Sequence, residues 1–197
     1  MSPVKLRVFQ LITEATIPLY GIFIADWSFS FLIYFFLFDL IFYVILECIK
    51  IQKATKYQTN KAFNIVKFLP LIILSLVTIA MVFIVRENIE TSTITESFST
   101  FFFQKEMGIP QGFLLLPLLF LTGFQHYKLV FVKQAIFTSV AISSLQTACR
   151  NNLLLLLASM GIALFLFEIW AVPGIWIMAS FVILRMAWGL LLPNSTK

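Results

Sequence analysis

The chain has 197 residues, 60% apolar and 12% charged, with a net charge of +5 and a mean hydropathy of +0.98. Soluble domains are roughly half apolar and a quarter charged, so this balance excludes an ordinary soluble domain and points to an integral membrane protein. The basic residues flank hydrophobic segments instead of gathering on one polar surface, which reads as a topology signal and not as a nucleic-acid footprint.

Long continuous apolar runs favour helices over the short alternating strands of a membrane barrel. Six stretches approach the ~20 residues that a helix needs to cross a bilayer. The expectation is therefore an all-α, multi-pass transmembrane bundle forming a single domain over residues 1–197. The first stretch covers about 8–24 and contains Glu14 and Pro18. No small-residue cleavage pattern follows it, so it reads as a retained helix and not a signal peptide. The turn "ADWS" comes next, where Asp26 or Ser28 can cap the second helix and Trp27 suits the hairpin interface. That second helix extends to about residue 51, and "KIQKATKYQTNK" reads as a basic connection.

A third span is expected over about 68–85, with Pro70 near its start. An acidic, Ser/Thr-rich loop, "RENIETSTITESFSTFFFQKEM", follows, with a phenylalanine cluster at 101–103. The fourth and fifth spans cover about 109–124 and 153–170, and "AVPG" turns the chain into the sixth at about 175–192. Between the fourth and fifth, residues 129–147 show no clean apolar stripe and contain Lys133, Gln134, Ser143 and Ser144. They are expected to form a cytoplasmic interfacial helix, with a seventh span as the alternative.

Charge placement sets the orientation. One side carries Lys5, Arg7, Lys50, Lys53, Lys56, Lys61, Lys67, Lys128, Lys133, Arg150 and Lys197. The other carries Arg86 and Lys105 among Glu87, Glu90, Glu96 and Glu106. The positive-inside rule then puts both termini in the cytoplasm.

Three charges fall inside the expected spans. Asp39, Arg185 and Glu14 lie ten or eleven residues from the outer ends of their helices. At 1.5 Å per residue that is roughly 15 to 17 Å, the middle of a ~30 Å core. An ionised side chain there costs about 2.5 to 3.5 kcal/mol on insertion scales, so Arg185 is expected to bridge Asp39, or both carboxylates. Tyr43, Glu47 and Lys50 share a helical face with Asp39, a polar stripe running towards the cytoplasm. Glu47 and Lys50 are expected to reach the inner headgroups. Two cysteines, Cys48 and Cys149, imply no disulfide framework. A single histidine, His126, placed at an interface, gives no metal site.

With Trp27 at the first hairpin, "ADWSFSFLIYFFLFDLIFYVILECIK" resembles a family of small bacterial and archaeal integral membrane proteins described as a domain of unknown function. Its second helix reads approximately L-Y-W-L-E-N and ends near a Lys, which sets Asp39 on the Glu and Lys50 on the Lys. The stretch "RNNLLLLLASMGIALFLFEIWAVPGIWIMASFVILRM" resembles the family's last hairpin, with Arg185 on its Lys. Phe36 and Leu37 stand where the family has Tyr-Trp, Leu40 replaces the Asn, and Gly189 stands where an acid is common. The resemblance implies a prokaryotic cytoplasmic membrane location and the Asp39–Arg185 pairing. It implies no activity.

The function expected from these residues is structural or accessory, with the bilayer as solvent, no cofactor, and a membrane-protein partner or second copy as company. A small proton- or ion-linked permease is the first rival, with Glu14 or Asp39 titrating beside Arg185. An intramembrane lipid-modifying enzyme is the second, and no hydrolase, metalloprotease or phosphate-loop motif supports it.

Overall fold

The computed structural model describes residues 12, 15–59, 68–103, 105–106 and 109–191, and gives the backbone alone at 105–106, 109–111, 126, 185 and 188–191. The fold is helical. Helix α1 covers 15–23, α2 Phe29–Thr59, α3 Leu69–Ile89 and α4 Ile94–Phe103. A two-residue antiparallel ladder, Lys105–Glu106 (β1) with Ile109–Pro110 (β2), leads into α5, Gln111–His126. Helix α6 covers Ile142–Trp170 and α7 Gly174–Leu191. Among the described residues four segments are long and apolar enough to cross a membrane: Phe29–Thr59, Leu69–Ile89, Gly112–Val132 and Ile142–Trp170.

Helix α2 is the spine. Residues 30–37 are all buried, an apolar run closed off on every face by its neighbours, so α2 is surrounded near its N-terminus and not amphipathic. Ser28 caps it, its hydroxyl accepting from the Phe31 N–H at 3.2 Å. Asp26 instead takes the left-handed backbone that reverses the chain (φ 45°). Trp27 is buried in this hairpin and lies against Phe31, with ring centroids 4.5 Å apart. It also lies flat on Gly21, where an added Cβ would come within 2.2 Å of the indole. Trp27 thus joins α1 to α2 from the inside of the hairpin.

The chain ends of the helices gather at two levels. At the upper end Gly174 is wedged between Ile89 and Phe29, and Phe23 meets Trp176 at 6.3 Å. At the lower end Gln58 donates to the carbonyls of Phe137 (3.0 Å) and Val140 (2.8 Å). Helices α2 and α7 therefore run downward, while α3 and α6 run upward. The core follows α2, with one cluster around Phe31–Leu37 and Phe101, and a second joining Leu40 and Ile51 to Leu71 and Leu153.

Several boundaries differ from those expected. Helix α2 runs on through Lys50, Lys53 and Lys56 to Thr59, because Lys, Gln and Ala are good helix formers and nothing there stops the helix. Its 31 residues span on the order of 45 Å, more than a bilayer core. Residues 129–147 are neither one interfacial helix nor a seventh span. A π-helical turn, Tyr127–Val132, extends α5; a short 3₁₀ segment, Ile136–Thr138, follows; and from Ile142 the chain is already α6. The break is at Ala135, in the left-handed region (φ 52°). The expected acidic loop contains α4.

Candidate functional site

Of the three charges expected at the midplane, Asp39 alone has a described side chain. Glu14 lies outside the described residues, and so does the side chain of Arg185. Asp39 is half-buried on α2. Two contacts set the register of α2 against α7: Gly174 on Phe29, and Phe36 edge-on to Phe181 at 4.9 Å. Their sequence offset is the same, so the helices run parallel and in step, with Asp39 and Leu40 level with residues 184 and 185. Asp39 is one turn beyond Phe36, the spacing that keeps residues on one helix face.

The lower stripe is more engaged than the sequence implies. Asn152 of α6 donates to the Tyr43 hydroxyl at 2.6 Å, tying two candidate spans together. Lys50 pairs with Glu47 at 2.5 Å, one turn apart on α2. Glu47 is 7% exposed, so it is buried against the bundle and does not snorkel. Cys149 is buried beside this pair, with Ile51, Leu71 and Leu153 around it. The stripe is legible from the i, i+4 spacing, but Asn152 is not, because its partner lies 109 positions away.

Among the described residues the most deeply buried charge is one that the charge pattern assigns to the outer side. Arg86, in the last turn of α3, is 1% exposed. Its Nη2 lies within hydrogen-bonding distance of the Ser92 carbonyl, the Ser92 hydroxyl (3.2 Å) and the Ser97 hydroxyl (2.5 Å). Nη1 is 3.7 Å from the exposed Glu87 carboxylate, and Nε has no partner among the described residues. A cation at the C-terminal end of a helix is also favoured by the helix dipole. Two further bonds close this upper cluster: Ser30 donates to the Glu90 carboxylate, and the Tyr34 hydroxyl donates to the Ile94 carbonyl at 3.2 Å.

Arg86 and Tyr34 thereby hold α4 down on α2 and α3. The other half of that grip is aromatic. Phe101 is fully buried, its ring 4.7 Å from Phe31 and 5.5 Å from Phe38. A signal for α4 was present. "TITE" is a capping box: the Glu96 N–H donates to the Thr93 hydroxyl and the Thr93 N–H to the Glu96 carboxylate, both at 3.3 Å.

Chemically, these groups form helix-to-helix ties. No three His, Cys, Asp or Glu side chains among the described residues converge to hold a metal ion. No protein-family model, curated protein or solved structure matches this chain.

Proposed function

We propose that this chain is a non-catalytic, multi-pass component of a prokaryotic cytoplasmic membrane, with six crossings and both termini inside, serving an accessory or assembly role. Glu14, Asp39 and Arg185 fasten helices at the midplane, as Arg86 fastens the upper end. The observation that carries this reading is how the placed polar groups are used. Arg86 with Ser92 and Ser97, Ser30 with Glu90, Tyr34 with the Ile94 carbonyl, and Tyr43 with Asn152 each join separate elements of the bundle. Buried polar groups spent in this way fix which helices neighbour which, a use of specificity more than of net stability. The parallel register of α2 and α7, with Asp39 level with residue 184 and so beside position 185, supports the midplane pair.

Copurification of the full chain from native membranes in mild detergent tests the role. The expected result is recovery in a stable complex with another membrane protein or with a second copy. Recovery as a solitary chain that moves protons or ions in proteoliposomes, with that flux lost in Asp39→Asn, would establish the permease reading instead.

A further inference from the structure

We infer that α5 pairs with the α5 of a second copy of this chain, the two helices packing in parallel along a leucine seam with their Gln125 side chains hydrogen-bonded to each other. Leu114, Leu118, Leu121 and Gln125 follow one another at intervals of four, three and four residues. That is the 3.5-residue repeat by which one helix lies along another. All four face away from the bundle: Leu114 is 59% exposed, Leu118 46% and Leu121 51%, and Gln125 is exposed with them. The other side of α5 is already used, since an added Cβ at Gly123 would come within 2.6 Å of Leu46 on α2.

Gln125 identifies the partner. It lies inside the candidate span Gly112–Val132, seven residues above its lower end, about 10 Å at the helical rise. Its carboxamide has no hydrogen-bond partner among the described residues. Leucines on this face are satisfied by acyl chains, whereas an amide there loses the hydrogen bonds that water would give it. Two copies inserted in one membrane share an orientation, so a closed pair has its two-fold axis along the membrane normal and α5 meets α5 in register. Each seam residue then faces its own copy. A carboxamide both donates and accepts, so Gln125 is completed by a second Gln125, and a single polar residue at a core position of such a seam fixes its register and the number of helices. Below it the π-helical turn Tyr127–Val132 changes the residue spacing and ends the seam. This pairing rests on the assembly role proposed above and names its partner.

The test uses the full chain in membranes. With Cys48 and Cys149 replaced by Ser, Leu121→Cys should give a disulfide-linked dimer on oxidation with copper phenanthroline, and Leu154→Cys, similarly exposed on α6, should not. In bilayers, where copies are counted by single-molecule photobleaching, Gln125→Leu should lower the association constant about tenfold, the size of an interhelical amide hydrogen bond in a membrane. A parent chain that counts as a monomer, equal linking through Leu121→Cys and Leu154→Cys, or unchanged association of Gln125→Leu overturns the pairing. Recovery with a different membrane protein and no second copy removes the α5 pair and leaves the accessory role. A chain that pairs through Gln125 and yet moves protons or ions leaves the pair and removes that role.

Discussion

Arg86 shows what a single charge does when it is taken out of water with its partners supplied. Its carbonyl and hydroxyl acceptors come from Ser92 and Ser97, so the guanidinium works as a clamp on α4. Hydrogen bonds to a charged group contribute about 1.5 to 3 kcal/mol, and Arg86→Ala should lower stability by about that amount. It should also speed limited proteolysis between residues 90 and 103, and Arg86→Lys should rescue only part, since an ammonium lacks the flat fork. An unchanged cleavage rate would mean that α4 is held by its aromatic residues alone. Asp39 stood out in the sequence because an acid is conspicuous in an apolar run, and it is half-buried on α2. Arg86 did not, since a cation at the end of a span looks the same in sequence whether it faces headgroups or a serine pair. For Asp39 and Arg185 a double-mutant cycle is the direct check. Asp39→Asn should cost about 3 to 5 kcal/mol by stranding a buried partner. Arg185→Gln should cost less, because a stranded carboxyl can protonate. The double change should recover part of the loss, whereas additive losses would show that the two side chains do not interact.

At the scale of elements, the sequence located the apolar centres of the helices better than their ends. The residues that extend α2 to Thr59 and start α6 at Ile142 are polar, yet they are helical. Hydropathy reports what can enter lipid, while the helix stops only where the backbone is told to stop. The Thr93–Glu96 box started α4, and Ala171 ends α6 in the left-handed conformation (φ 48°), its N–H turned back onto the Leu166 and Phe167 carbonyls. Gly is the usual residue at such a helix end, and a left-handed L-residue costs roughly 1 to 2 kcal/mol. Ala171→Gly should therefore raise the unfolding midpoint in detergent by the equivalent of about 1 kcal/mol, against the normal penalty for glycine. A lowered midpoint would show that the Ala171 methyl group is held by packing that outweighs the backbone strain.

Over the whole molecule, the charge asymmetry and the fold describe the same two ends. Lys50, Lys53, Lys56, Lys128, Lys133 and Arg150 fall in the lower half, from the last turns of α2 and the α5–α6 turn to the first turns of α6. Glu87, Glu90, Glu96 and Glu168 fall at the upper end, where Arg86 is already engaged by Ser92 and Ser97. The orientation that follows can be read by labelling. Thr91 and Gln134 are both exposed, one at each end. In a background with Cys48 and Cys149 replaced by Ser, Thr91→Cys should react with an impermeant maleimide in intact cells, and Gln134→Cys only after lysis. The reverse pattern would turn the whole bundle over. Labelling of both in intact cells would remove the single crossing, α5, that separates them and with it the six-span topology. Protection of Gln134 with reaction of Thr91 leaves one arrangement: the basic turn inside, the acidic segment and α4 outside, and α2 carrying Asp39 through the bilayer between them.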